Sequence, residues 1–329
     1  MILKLINSAF FPFVSIKNFL YDKGLLRQVK SKFLVVSVGN ISFGGTGKTT
    51  FIIHLSKKLL ERNIRPLVLS KGYRRKSDET IIFPHEGVEP NVESIGDEMF
   101  LIYSKLDIPF AVSNRKYEAI EKIDNNFNPD VILIDDGFQH RKLYRDIDIV
   151  LIDNATPNTI LREPIKNIDR ADVVLIEENT NIDLGRYKGN FELFTFRRFI
   201  KKFYGISKKI LNIENLSEGK VVLVSGIGNN KGFLNSMKKY FKNIVSHLEF
   251  KDHHYYTSND INKIVLKTKK LNADVIVTTE KDFVKLIRFK EIFECNNINL
   301  ITSEVDLEID QEDRLIEMIC TEIFQRRTK

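Results

Sequence analysis

The sequence predicts an α/β protein with a doubly wound, mostly parallel sheet, followed by a second, smaller α/β unit. Three observations carry that expectation. Short apolar runs of strand length recur at 33–38, 65–70, 108–113, 131–134, 148–153 and 173–178, with helix-like segments between several of them. These runs lack the in–out alternation of a half-exposed sheet, as strands covered on both faces do. A further strand–turn–helix series opens near 220, after an extended basic stretch, and 329 residues give length for two domains.

Composition limits the function classes. With 43% hydrophobic and 29% charged residues the chain reads as an ordinary globular protein. Lys and Arg number 51 against 44 Asp and Glu, a net +7 that suits anionic partners without choosing among nucleotide, nucleic acid and lipid head group. The two cysteines, Cys295 and Cys320, form no CxxC pair, which fits a reducing compartment and argues against a cysteine zinc site. No stretch reaches the roughly 18 consecutive apolar residues of a membrane-spanning helix.

The first 32 residues are amphipathic. Ile2, Leu5, Ile6, Ala9, Phe13, Ile16 and Leu20 follow helical spacing, Phe10, Phe11, Val14 and Phe19 widen that face, and Lys4, Lys17, Lys23, Arg27, Lys30 and Lys32 make the segment basic. Such a helix either lies in an anionic membrane interface or packs on the domain core. Pro12 is placed to break it into two pieces.

The next element, the apolar run 33–38, leads into GNISFGGTGKTT and then FIIHLSKKLLER. A Gly-rich turn between a strand and a helix N-terminus converges backbone N–H groups on an anion. Ser42, Phe43, Gly44, Gly45, Thr46, Gly47, Lys48 and Thr49 are therefore the candidate nucleotide-phosphate cradle, making the sheet P-loop NTPase-like. In such a loop Lys48 reaches the β- and γ-phosphates and the Thr49 hydroxyl ligates Mg²⁺. Ser42 stands where the strict motif has its first glycine.

After the strand 65–70 comes the basic loop KGYRRKS, at the strand end where ligands gather in open α/β sheets; a solvated charge run is the plain alternative. In SIGDEMFLIYSKL, Ser94 is read as the cap of a helix starting near Gly96–Asp97, with Met99, Phe100, Tyr103 and Leu106 buried. Asp97 and Glu98 then fall in its first turn, where complementing the helix dipole is one sufficient role. NRKYEAIEKI opens another helix.

The strand 131–134 ends in Asp135 and Asp136, a Walker B placement beside the phosphate loop, one acid facing the metal and the other organising hydrogen bonds. Further on, FELFTFRRFIKK is extended and basic, and GIGNNKG is read as a turn rather than a dinucleotide fingerprint. An Asp-His-His cluster precedes a helix capped near Ser258 or Asn259, a strand runs into TEKD and a helix, INLITSEVDLEI is extended, and a final amphipathic helix closes the chain.

Taken together, GNISFGGTGKTT, SKGYRRKS, IGDEMFLI, LIDDGFQHRKLYRDIDIVLID, LREPIKNIDRAD, FKDHHYYT and VTTEKDFVKL resemble the tetraacyldisaccharide 4′-kinase family of lipid A biosynthesis, in order, to about residue 290. The resemblance implies transfer of the γ-phosphoryl group of ATP, with Mg²⁺, to the 4′-hydroxyl of a membrane-held tetraacyldisaccharide 1-phosphate, giving lipid IVA. It implies a P-loop core within 1–190, a linker strand at 191–204, a smaller α/β domain at 205–297 and a return strand at 298–307, the two linker strands forming a β-ribbon; residues 308–329 are candidates to rejoin the core. On the family's pattern Asp97 matches a catalytic base, His253 its partner across the cleft, and Asp135 and Asp136 the acids near Mg²⁺, with His254 an alternative to His253 and a metal role for Glu177 left open. Tyr73, Arg74, Arg115, Arg141 and Arg170 are candidates for substrate contacts. The expected setting is the cytoplasmic face of a Gram-negative inner membrane, as a peripheral monomer that binds its lipid substrate and no nucleic acid. Two rivals share the phosphate loop: a soluble ATPase working on a protein partner, and a nucleic-acid-dependent NTPase. The basic residues are scattered and lack the interleaved aromatics that the second would use.

Overall fold

The computed structural model describes residues 2–327 apart from 43, 85–88, 155, 157–159, 186 and 188. The chain starts with helix α1 (Ile2–Asp22), which runs through Pro12 as one helix rather than two. Strand β1 (Leu34–Asn40) leads to α2 (Lys48–Glu61) and β2 (Pro66–Ser70). A short β3 (Ile81–Phe83) and one-turn α3 (Val92–Ile95) precede α4 (Asp97–Lys105) and β4 (Phe110–Val112). The first lobe continues with α5 (Lys116–Asn126), β5 (Val131–Asp135), β6 (Ile147–Ile152) and β7 (Val173–Glu177). Then come the long β8 (Glu192–Gly205), β9 (Ile210–Leu211), β10 (Lys220–Ser225), α6 (Asn230–Met237) and β11 (Asn243–Glu249). The chain ends with α7 (Ser258–Lys270), β12 (Val275–Thr279), α8 (Glu280–Leu286), α9 (Lys290–Cys295), β13 (Asn299–Ile309) and α10 (Glu312–Arg327).

Among the described residues the strands form one continuous sheet, ordered β11-β10-β12-β13-β8-β7-β6-β1-β5-β2-β4-β3, with β9 beside β8. The mostly parallel, doubly wound expectation holds: β1 runs parallel to both β5 and β6, and β10, β11, β12 and β13 pair in parallel. β8 is parallel to β7 on one edge and antiparallel to β13 on the other, so these two strands connect the lobes.

Both faces of the first-lobe sheet are covered. Val36, Val38, Val68 and Leu133 pack with Phe51, Ile52 and Leu55 of α2, Met99 and Ile102 of α4, and Leu315, Ile316 and Ile319 of α10. Val35, Leu67, Leu69 and Ile132 face Ala119, Ile120 and Ile123 of α5. Each fully buried side chain of this size contributes about 1.5–3 kcal/mol. The second lobe is covered likewise, by Ile261 and Ile264 of α7 with Phe283 of α8 on one side and by Phe233 and Met237 of α6 on the other.

Two helix caps differ from the sequence reading. Asn91 caps α3 and Ser94 completes that capping box from its third position, while α4 starts from Gly96 with no side-chain cap. Helix α7 is capped by Thr257, whose box partner is Asp260. Ser94 thus serves the one-turn helix before α4 rather than α4 itself, and the cap of α7 lies one position upstream of Ser258.

Candidate active site

The phosphate loop leaves β1 at a crevice where the connections diverge, that from β1 running to β2 beyond β5 on one side and that from β6 running to β7 on the other, the place for ligands in such sheets. Gly44 and Gly47 take φ of +121° and +89°, which side-chain-bearing residues rarely adopt. Asn40 donates to the Thr46 hydroxyl at 3.1 Å and so ties the loop to its strand. Ser42 is buried, 3.2 Å from the Thr156 hydroxyl, and bridges to Leu161. The non-glycine start of the motif is thus an anchor to the segment after β6. Phe43 lies outside the described residues. Thr49 is buried in the first turn of α2.

The register Val38↔Asp135 brings the acid pair beside the loop. Lys48 Nζ lies 3.5 Å from Asp136 Oδ1, and Arg162 pairs with the other oxygen. Burial disfavours the Asp136 carboxylate, yet Lys48, Arg162 and Lys116 hold it well below the usual range. Asp135 accepts from the Ser70 hydroxyl at 2.9 Å. Burial, with Glu98 and Asp136 nearby, pushes its carboxyl up to about 6. Lys116, buried at the start of α5, donates to the carbonyl oxygens of Asp135 and Asp136 and so fixes the strand end.

These residues fit a magnesium ion. Asp136 Oδ1 accepts no hydrogen bond among the described residues, Thr49 follows Lys48 in the same turn, and the raised pKa of buried Asp135 beside Glu98 and Asp136 marks negative charge there that a divalent cation would offset.

The second part of the site lies between the lobes. Asp97, 5% exposed in the first turn of α4, meets His253, whose Nδ1 is 2.9 Å from both carboxylate oxygens. Burial opposes the Asp97 charge, but the His253 hydrogen bond and the charges of Lys285 and Lys281 hold its carboxyl far below the usual range. Burial likewise opposes His253 protonation, and Asp97 and Glu98 outweigh it, so the imidazole titrates above its ordinary value. His254 faces elsewhere, 3.1 Å from Asp260 and stacked on Phe250. Tyr73 stands edge-on to His253 at 4.8 Å, and Arg74 donates to the carbonyl oxygens of Asp252 and His253. Tyr73, Arg74, Asp97, His253, Lys251 and Lys285 line a cavity of about 290 Å³.

The remaining candidate arginines stand apart from this cavity. Arg115 is exposed and paired with Glu118, Arg141 holds Asp22 of α1, and Arg170 pairs with Glu163 over the Phe138 ring. Both carboxylate oxygens of Glu177 are taken by Arg198 of β8, which leaves Glu177 occupied as it stands. Arg198 also lies across Gly47 of the phosphate loop. Sequence reasoning missed Arg162, Lys116, Arg198 and Lys285. Each reads as an ordinary surface charge until its distant partner is known; the signals were the place of Arg162 and Lys285 inside the stretches LREPIKNIDRAD and VTTEKDFVKL and that of Lys116 shortly after a strand.

A doubly wound sheet with a glycine loop, its lysine and two acids at the neighbouring strand end defines a P-loop nucleotide-dependent enzyme. Residues 1–323 match the family model described as tetraacyldisaccharide-1-P 4′-kinase, and the chain belongs to that family. It is 30% identical to tetraacyldisaccharide 4′-kinase of Aquifex aeolicus over 96% of this chain and 98% of the relative. It is 34% identical to that of Flavobacterium johnsoniae over 86% of this chain and 88% of the relative. Among solved structures, the "apo" form of LpxK from Aquifex aeolicus in complex with ATP aligns at a TM-score of 0.76, with 28% identity and 98% of both chains covered.

Proposed function

We propose that this protein transfers the γ-phosphoryl group of ATP to the 4′-hydroxyl of tetraacyldisaccharide 1-phosphate, giving lipid IVA, at the cytoplasmic surface of a Gram-negative inner membrane. The observation that carries the reading is the Asp97–His253 pair across the lobes, in the same structure as Lys48 and Asp136 at the phosphate loop. A sugar hydroxyl is a weak nucleophile, so a base must take its proton as it attacks.

In this reading the 4′-oxygen attacks the γ-phosphorus in line, and the bond to the β–γ bridging oxygen breaks with its electron pair leaving on ADP. The hydroxyl proton passes to the Asp97 carboxylate, which His253 orients. Lys48 and the N–H groups of the glycine loop take up charge on the transferring group. Thr49, Asp135 and Asp136 would hold Mg²⁺, which supplies further neutralisation of the β- and γ-oxygens. Tyr73 and Arg74 shape the cavity beside the base. The protein works as a monomer of two domains, residues 1–190 with 308–329 and residues 205–297, joined through the ribbon of β8 and β13.

Membrane contact falls to α1. Among the described residues it is tied to the first lobe by Asn18 to Glu163 and Asp22 to Arg141, while Phe13, Ile16 and Phe19 are 74%, 61% and 55% exposed. An outward apolar face followed by the basic residues Lys23, Arg27, Lys30 and Lys32 suits a lipid interface. No helix among the described residues is long and apolar enough to cross a membrane.

Incubation with γ-labelled ATP, Mg²⁺ and tetraacyldisaccharide 1-phosphate in detergent is expected to label the lipid. ATP hydrolysis with no lipid-linked label would point to an ATPase and overturn the proposal.

A further inference from the structure

The second lobe reaches Asp97 with two side chains. Besides His253, Lys285 of α8 places its Nζ 3.4 Å from Oδ2 of Asp97. Its side chain is 4% exposed, as enclosed as the aspartate. A buried ammonium is costly unless carboxylates compensate it, and Lys285 has a second one, Asp282 Oδ1 at 3.0 Å, on a residue 0% exposed. Asp282 is itself held by the Gly226 N–H at 2.8 Å and the Thr279 hydroxyl at 2.7 Å. A fixed chain of contacts therefore runs from the turn after β10, through Asp282 and Lys285, to Asp97.

The surroundings are charged on every side. Lys281 lies one turn before Lys285 on α8 and pairs with Glu98, the neighbour of Asp97, so two successive ammoniums meet two successive acids. Tyr256 packs its ring 5.5 Å from the Lys285 ammonium, and Asp252 lies 3.8 Å from the outer nitrogen of His253. Among the described residues Oδ2 of Asp97 receives both His253 and Lys285, whereas Oδ1 receives His253 alone. Oδ1 is thus the oxygen with a lone pair left for an incoming hydroxyl.

We propose that Lys285 is a positioning residue for the phosphoryl transfer: anchored by Asp282, its ammonium pins Oδ2 and turns Oδ1 of Asp97 to the acceptor hydroxyl. This rests on Asp97 as the base. The ammonium is committed to Asp97 and Asp282, so a lysine that acts through the aspartate should, on its loss, lower kcat and leave both KM values in place, whereas a lysine that binds substrate from the cavity wall would raise a KM.

The test uses the full chain, labelled ATP and the lipid acceptor, with initial rates over both substrates. Lys285→Met is expected to lower kcat by about tenfold or more with KM for ATP and lipid within about twofold, and Lys285→Arg to recover part of the loss. The deficit of Lys285→Met should be largest at low pH and shrink as pH rises, because removing a cation raises the Asp97 pKa. If Lys285→Met keeps kcat within about twofold of the parent while Asp97→Asn is inactive, the role of Lys285 is overturned and the base stands. If Asp97→Asn itself turns over normally, the base reading fails first. Should Lys285→Met not fold, Asp282→Asn takes its place, and an unchanged kcat there overturns the proposal equally.

Discussion

Gly96 turns the chain into α4 at a φ of +82°, and a Cβ there would stand 2.9 Å from the Tyr73 carbonyl oxygen. Close approach and backbone sign both require glycine. The consequence is chemical: the turn sets Asp97 in the first helical turn beside the Tyr73–Arg74 loop, which itself touches His253. Gly96→Ala is expected to cost roughly 1–3 kcal/mol in denaturant unfolding and to lower turnover by shifting Asp97. A variant with unchanged stability and kcat would show that the turn tolerates a side chain. The IGDE pattern made this helix start legible in the sequence. The reason for its glycine was not, since the carbonyl it must clear lies more than 20 positions upstream.

At the scale of elements, α1 and α2 make separate demands. Removal of residues 1–20 takes away the exposed Phe13, Ile16 and Phe19, so co-sedimentation with anionic liposomes should weaken severalfold and more so at high salt. Unchanged binding would leave α1 a packing role only. Helix α2 is tied by His54 to Asp306 of β13 at 3.0 Å and to Glu312 of α10. Burial opposes the His54 charge, but the two carboxylates raise its pKa above 6.5, while Asp306, despite its own burial, is held well below the usual range by His54 and Lys201. The histidine contribution is therefore full below its unfolded pKa and is lost as pH rises through the raised folded value. The aspartate contribution is present above about 3.8 and is lost as pH falls through its depressed folded value. Urea midpoints between about pH 5 and 9 should decline on the alkaline side, and His54→Gln should flatten that decline. A parallel slope in both proteins would remove His54 as its source. Nothing in the α2 sequence marks His54, because its partners lie 252 and 258 positions away.

For the whole molecule, the lobes share a sheet through β8 and β13 and also meet face to face. Helix α4 presents Asp97, Glu98 and Lys105 to Lys285, Lys281 and Glu280 around α8, each with a partner of opposite charge. Arg288 and Tyr255 of the second lobe both reach Glu93 of α3. Such pairs set orientation more than affinity, and like charges facing each other cost several kcal/mol. Lys281→Glu should therefore open the lobes, seen as a larger radius of gyration by small-angle scattering, and Glu98→Lys in the same chain should restore it. An unchanged radius in the single variant would mean that the ribbon alone sets the lobe angle.

The sequence by itself determined the parallel sheet, the phosphate loop at Lys48–Thr49 and the acids at Asp135–Asp136, because each is a local pattern in which a strand end and its next few residues carry the whole message. It also marked Asp97 and the His253–His254 cluster. Tertiary structure alone decided that His253 meets Asp97 while His254 turns to Asp260, that Ser42 anchors a loop, and that Arg198 closes on Glu177. It alone brought Lys285 to Asp97 across 188 positions. A buried ion pair forms only where two remote elements exclude water together, and no residue spacing along the chain records that meeting.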